Sequence, residues 1–229
     1  MKPWNKGLTK FTSSSLLETS ITLANKKKSN FCKWQEENKL KYKKLKHSKI
    51  LAEFYGTMLG DGCMEKFART DKITVSFNRK EQEHLQHISD IMTLLFDKKP
   101  SIRIRKTSQC DDLYFYQNKL SERLEFPYGK KINNELILPQ WIKNNILYLK
   151  YCLKGLFETD GDWFIDEKYK TNVIKFTNHC HSLLNDIYSV LIDLGYHPQL
   201  RKFDVRLARK DEVYKFVDWI KFRKYSGIV

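Results

Sequence analysis

The sequence has no apolar run long enough to span a bilayer, no charged-then-apolar leader at its N-terminus and no CxxC pair. The first gap excludes a membrane-spanning helix and the second argues against secretion, so an intracellular protein is expected, in a bacterial cytoplasm or an organelle. The five cysteines, Cys32, Cys63, Cys110, Cys152 and Cys180, are odd in number and show no paired spacing. A zinc ribbon or a disulfide framework is therefore not expected. Acid is scarce too. Forty-two Lys and Arg stand against 27 Asp and Glu, a net charge of +15, and the imbalance is steepest in residues 1–50, whose 13 lysines meet only Glu18, Glu36 and Glu37.

A surplus of that size calls for a polyanionic partner. An anionic membrane surface would need an amphipathic face with bulky apolar anchors, which residues 1–50 lack. Nucleic acid fits better. With 41% hydrophobic and 14% aromatic residues the chain has material for a packed core, and 229 residues suffice for one substantial core or two small ones sharing an interface.

Residues 1–47 read as a basic extension. Pro3, Gly7 and Ser13–Ser15 mark loops, Leu16, Leu17, Ile21 and Leu23 suit a short helix, and 25–30 is a lysine-rich connector. The following stretch, with Phe31 and Trp34 among lysines, is either a solvated tail with a few aromatics packed on the body or a DNA-contacting arm. From Ser48 the pattern becomes regular. Ile50 to Leu59 is helical, with Ala52, Gly56 and Gly60 along one line. Ile73, Val75 and Phe77 alternate as a half-buried strand does, and Leu85, Ile88, Ile91, Met92 and Leu95 return to helical spacing. A hairpin over 102–105 and 113–117 and a short helix over 120–124 complete the unit.

The same order then recurs. Leu153–Thr159 is helical, Val173–Phe176 extended, Leu184 to Leu194 helical, 200–202 with 205–207 a hairpin, and Glu212–Ile220 a last helix. Asp61, Phe77, Leu85, Ile88, Ile91 and Leu95 reappear 99 residues later as Asp160, Phe176, Leu184, Ile187, Val190 and Leu194. Such register marks an internal duplication. Two copies suit a pseudo-two-fold pair with one shared interface rather than a solenoid. The expected halves are 48–143 and 144–229, which points to a monomer.

The opening helix of each copy carries the chemistry: Phe54-Tyr55-Gly56-Thr57-Met58-Leu59-Gly60-Asp61-Gly62 and Leu153-Lys154-Gly155-Leu156-Phe157-Glu158-Thr159-Asp160-Gly161. Small residues four apart let two helix backbones approach closely. Gly62 and Gly161 suit a left-handed helix end. Asp61 and Asp160 sit at helix C-termini, where the dipole is already negative, so two such ends side by side need cations. Aspartates and backbone carbonyls are suitable oxygen ligands for Mg²⁺, and such a pair at a phosphodiester supports in-line hydrolysis.

These two nine-residue runs resemble the twin signatures of the LAGLIDADG homing endonucleases, over roughly Ser48 to Val229. Phe126-Pro127-Tyr128-Gly129-Lys130-Lys131 and Leu138-Pro139-Gln140-Trp141-Ile142 resemble the segment that precedes the second signature in that family. The resemblance implies an α+β fold of two αββαββα halves whose antiparallel sheets form a saddle in the DNA major groove. It implies Asp61, Asp160 and the carbonyls of Gly60 and Thr159 as metal ligands. Lys131, with Lys130 as fallback, would be the active-site lysine, and Lys224, or else Arg223, its counterpart in the second half. Asn78, and Thr177 at the equivalent place, would order water. On the same saddle Arg103, Arg105, Lys175, Arg201 and Arg206 would contact DNA. The implied cofactor is Mg²⁺, with Mn²⁺ a substitute and Ca²⁺ supporting binding without cleavage; the implied partner is double-stranded DNA. A splicing maturase with an RNA intron as partner, or a non-cleaving nucleic-acid binder, is the alternative on this scaffold.

The signatures are loose. Leu59 and Glu158 replace the family's sixth-position Asp, a position that does not bind metal. His179-Cys180-His181 places two histidines on one face with no further ligand in view, and a DNA contact or plain surface suits it better than zinc. Alternating Ile102-Arg103-Ile104-Arg105 is either a half-exposed strand or a reader of guanine edges. Trp141, Tyr148 and Tyr151 are expected in the core.

Overall fold

The computed structural model describes residues 6–27, 44–106, 108–168 and 171–223. The chain divides into two compact units, Met1–Lys43 and Lys44–Val229. In the first, a turn closed by the Thr9 and Thr12 side chains leads into helix α1, Ser14–Lys27. The lysine-rich run at 28–43 lies outside the described residues.

The second unit repeats one sequence of elements. Helix α2 (Lys49–Gly60) leads through strands β1 (Gly62–Lys66) and β2 (Asp71–Asn78) to helix α3 (Gln82–Phe96). Strands β3 (Ser101–Ile104) and β4 (Cys110–Gln117) and helix α4 (Leu120–Leu124) follow. After a 3-10 turn at Lys131–Asn133 and the short helix α5 (Gln140–Lys143), the pattern returns. It runs as α6 (Ile146–Asp160), β5 (Gly161–Asp166), β6 (Thr171–Thr177), α7 (His181–Asp193), β7 (Gln199–Leu200), β8 (Asp204–Leu207) and α8 (Lys210–Ile220). Each half is αββαββα, an α+β fold with an open antiparallel four-stranded sheet. The strand orders are β1-β2-β4-β3 and β5-β6-β8-β7, and the paired sheets form the expected saddle.

Local chemistry fixes the ends of the two long repeat helices. Ser48 accepts from the Leu51 N–H at 3.1 Å to start α2, and Asn145 accepts from Leu147 and Tyr148 to start α6. At the far ends the left-handed expectation is corrected: Gly161 has φ −90°, and Gly62 is absent from the positive-φ glycines. Both helices run straight into a strand. A Cβ at Gly62 would meet Met58, and one at Gly161 the Phe157 backbone. Glycine is thus demanded by the close return of the chain, not by a special dihedral.

Alternation along β2 sends Ile73, Val75 and Phe77 to the side where Leu85, Ile88 and Met92 of α3 are buried. Val205, Leu207 and Phe176 face Leu184, Ile187 and Leu191 in the second half. Helices α2 and α6 lie between these two sets and form the largest helix interface of the unit. Leu51, Phe54, Met58, Cys152, Leu153 and Leu156 there are buried. The segment between the halves is fastened to the second: Asp186 of α7 accepts from the Leu138 N–H at 2.7 Å and from the Lys143 ammonium. Trp141 packs at this junction, stacked on His47 at 4.3 Å and edge-on to Tyr55 and Tyr148. Among the described residues, no helix is long and apolar enough to cross a membrane.

Candidate nuclease site at the helix seam

Glycine sets the spacing of the seam. A Cβ at Gly56 would overlap the Cys152 carbonyl and crowd the Leu156 nitrogen, and one at Gly155 would overlap the Glu53 carbonyl. Gly60 faces Thr159, whose hydroxyl turns back to the Leu156 carbonyl at 2.8 Å. The helices therefore touch backbone to backbone, and their C-terminal aspartates arrive together.

Asp61 closes α2, its N–H bonded to the Thr57 carbonyl at 3.0 Å. Its side chain keeps an exposed edge while protein crowds the rest. Burial, and then the charge of Asp160, raise its carboxyl to about 6, against a lowering pull from Lys131. Asp160, the last residue of α6, is also raised by burial, while Lys131 and an Asn178 hydrogen bond pull the other way. The two carboxylates feel each other electrostatically.

Lys131 acts electrostatically on both. The 3-10 turn brings its ammonium to the Gly60 carbonyl. Burial lowers its pKa, opposed by Asp160, Asp61 and then the thiols Cys63 and Cys180. Lys130, the fallback, points to solvent. The sequence does not point to Asn178, because the repeat offset pairs Asn78 with Thr177. The Asn178 amide donates to the Asp160 carboxylate at 2.8 Å while its oxygen accepts from the Cys180 N–H at 2.9 Å, which fixes the amide's orientation. The equivalent residue of the first half is Arg79, whose guanidinium is bound to Asp111. Asn78 is exposed and its side chain caps the Lys80 N–H at 3.1 Å; Thr177 is exposed as well.

The second-half basic residue resolves differently. Lys224 lies outside the described residues. Arg223 is committed to a clamp, at 2.6 Å from Glu53 of α2 and 2.8 Å from Glu158 of α6, with its own N–H on Glu158 as well. His87 adds a 2.7 Å contact to Glu53. Burial raises the Glu53 carboxyl, but His87 and Arg223 outweigh it and leave it below its ordinary value. Glu158, at the signature's variable position, is one arm of this inter-half tie.

On the first sheet, Arg103 and Arg105 both grip the fully buried Asp112. On the second, Arg206 pairs with Asp204 at 2.9 Å and Lys175 with Asp162 at 3.6 Å; Arg201 is exposed. His179 and His181 flank the Phe203 ring, and Cys180 is buried between them.

Seam, sheets and paired acids define a pseudo-dimeric protein with two acidic helix ends joined at its centre. Residues 148–223 match the family model of the LAGLIDADG-like domain. That match lies within the second half, and the first half repeats the same order of helices and strands. Among solved structures, variants of the homing endonuclease I-DmoI superpose with a TM-score of 0.55 at 20% identity, covering 75% of this chain and 94% of theirs. I-DmoI in complex with DNA and Mn gives 0.55 at 20% identity over 77% and 98%. The N-terminal LAGLIDADG domain of DUF199/WhiA gives 0.55 at 13% identity over 77% and 84%. These likenesses concern the fold. A curated relative, the tRNA-splicing ligase RtcB of Methanopyrus kandleri, is 25% identical over 189 residues, 72% of this chain. The chain spans only 19% of that relative's length.

Proposed function

We propose that this chain is a site-specific, divalent-metal-dependent endonuclease that cuts both strands of DNA. The observation that carries the reading is the meeting of Asp61, Asp160 and the Lys131 ammonium at the ends of two helices held by glycine contacts. Two crowded carboxylates with elevated pKa values are costly in a resting protein, which favours a site built for added positive charge.

The donor chemistry fits a hard cation. Asp61 and Asp160 would hold Mg²⁺ through carboxylate oxygens, with the Gly60 and Thr159 carbonyls as further oxygen donors. Among the described residues, no three His, Cys, Asp or Glu side chains cluster around it; a two-carboxylate site leaves room for water and phosphate oxygens. The chemistry a bound Mg²⁺ supplies is a water nucleophile near neutral pH and neutralisation of charge on the scissile phosphate. Lys131 then acts as a point charge beside the developing phosphorane. Asn178 holds one oxygen of Asp160 and so directs the other. Mn²⁺ is the expected substitute and Ca²⁺ the expected binding-only ion, consistent with I-DmoI structures that hold DNA with Mn or Ca.

The halves differ in sequence, so the DNA site is partly palindromic. One chain already contains both halves of the seam, which favours a monomer. Residues 1–47 extend the footprint electrostatically; without them binding weakens and its salt dependence flattens. Selection of cleaved sites from a randomised DNA pool with Mg²⁺ tests the whole reading. A discrete site cut on both strands, lost in Asp61→Asn and Asp160→Asn, is expected. RNA binding with rescue of splicing, and no nicking with any divalent ion, would replace this reading by the maturase one.

A further inference from the structure

One row of side chains crosses each sheet on the face turned away from α3 and α7, and the two rows differ. In the first sheet Ser76, Asp112 and Arg103 lie directly opposite one another on β2, β4 and β3. In the second the same row is Lys175, Arg206 and Gln199 on β6, β8 and β7. Directly opposed residues of antiparallel strands share a face.

The acid stands at the centre of the first row and is saturated. Asp112 is fully buried. It accepts from Ser76 at 2.8 Å, from Arg103 Nε at 2.9 Å and Nη2 at 2.5 Å, from Arg105 Nε at 2.9 Å, and from Arg105 Nη2. Arg105 Nη2 also donates to the Ser76 hydroxyl at 3.0 Å, which occupies both of its hydrogens. Arg103 Nη2 makes one such bond, so its second hydrogen and both on Nη1 remain without a partner among the described residues. The side chain is 53% exposed. The plane of Arg103 is thus fixed from behind while its far edge faces outward with parallel donors. That edge matches the O6 and N7 acceptors of guanine.

In the second row no acid sits at the centre. Arg206 turns to Asp204 at 2.9 Å and Lys175 to Asp162 at 3.6 Å. Gln199, at the place equivalent to Arg103, is exposed and has no side-chain partner among the described residues. A carboxamide offers one donor and one acceptor, the complement of adenine N6 and N7.

We propose that Arg103, oriented by Asp112 and Arg105, reads a guanine in one half-site, and that Gln199 reads an adenine at the mirrored position of the other. The target's symmetry is therefore broken under this row. The inference rests on the DNA-binding part of the function proposed above and not on cleavage.

Binding selections from a randomised duplex pool, with the full chain in Ca²⁺, test it. The wild type is expected to select a guanine and an adenine at positions equidistant from the centre. Gln199→Arg, an exposed edge change, should convert that adenine to guanine and make the pair symmetric. Arg103→Gln should do the reverse on the other side. Asp112→Asn should still bind DNA yet lose about fivefold or more of its guanine preference. An unchanged sequence with Gln199→Arg or Arg103→Gln overturns the base assignment. Asp112→Asn that lowers the melting temperature but keeps the guanine preference overturns the orienting role. Failure to enrich any DNA sinks the endonuclease reading together with this one, whereas enrichment without these two bases sinks this one alone.

Discussion

Gly56 of the first signature helix lies against the carbonyl of Cys152 in the second, with no room between them for a methyl group. The reciprocal contact, Gly155 on the Glu53 carbonyl, is equally tight. Both obstacles are main-chain atoms, which cannot swing aside as a side-chain tip would.

Gly56→Ala and Gly155→Ala are therefore expected to destabilise the fold despite the higher helix propensity of alanine. Overpacking of about 1–3 kcal/mol outweighs a propensity gain of about 1 kcal/mol. Urea unfolding of the two variants checks the sign; a stabilised Gly56→Ala would show that the helices can separate freely.

Loss of the Arg223 clamp has a different signature. Arg223→Ala leaves the buried Glu53 and Glu158 without their shared cation, at a cost of about 3–5 kcal/mol. Glu53→Gln and Glu158→Gln on the Arg223→Ala background should restore much of it. A triple variant no more stable than Arg223→Ala would mean that the ion pairs contribute little.

At the aspartates, the metal-free protein is expected to gain stability from Asp61→Asn at pH 7.5. The Asp61 carboxyl is raised to about 6 in the fold, so the folded state binds more protons than the unfolded one between the two pKa values. Stability falls as pH climbs through that window and stays reduced above it. Solvent at the exposed edge limits the gain to about 1 kcal/mol. Added Mg²⁺ should raise the melting temperature of the wild type in a concentration-dependent way and leave Asp61→Asn nearly unmoved. Equal metal shifts in both proteins would place the cation elsewhere.

His84 works in the opposite sense. It is buried against Phe77, and burial foremost lowers its pKa to about 4, with His87 and Arg223 adding to the effect. Between the ordinary histidine value and 4 the unfolded state takes up a proton that the folded state refuses. Stability is present above that window and is lost as pH falls through it, by about 3 kcal/mol in full. Urea midpoints at pH 7.5 and 4.5 measure the loss, and His84→Leu should flatten the slope.

For the chemistry, Lys131→Met is expected to slow cleavage about a hundredfold while DNA binding in Ca²⁺ persists. Asn178→Ala, which removes one charge-assisted hydrogen bond from Asp160, should cost about tenfold. Single-turnover rates on a selected site separate these effects from binding. Undiminished rates in Lys131→Met would remove the lysine from the active centre.

Much of this was legible in the sequence because the repeat carries its own internal control. Asp61 and Asp160 at one offset, with small residues at 56, 60, 155 and 159, define a two-helix seam before any coordinates exist. Periodicity alone does not mark β1 and β5, which only the family resemblance implies: Gly62–Lys66 contains few apolar residues, and both strands begin where a helix end is expected. Asn178 was hidden because the offset that aligns the helices equates it with Arg79, a residue of other chemistry and another partner. Position relative to the family's active-site lysine makes Arg223 the alternative to Lys224 as the second half's cation. Only the placement of Glu53 and Glu158, distant in sequence, reveals its clamp. Arg103 and Arg105 could be read as solvent-facing or DNA-facing from their alternation; which edge of a guanidinium is left over depends on a third residue, Asp112, on a neighbouring strand.

The glycine seam has one more consequence. Main chain resting on main chain leaves a single vertical alignment of the two helices, because nothing between them can repack to accommodate another. The separation of the acidic tips is thereby insulated from drift in the outer strands. Under the proposed endonuclease function, substitutions on the saddle would alter the preferred sequence while the stagger between incisions stays constant, so inheritance would retune the address without recalibrating the blade.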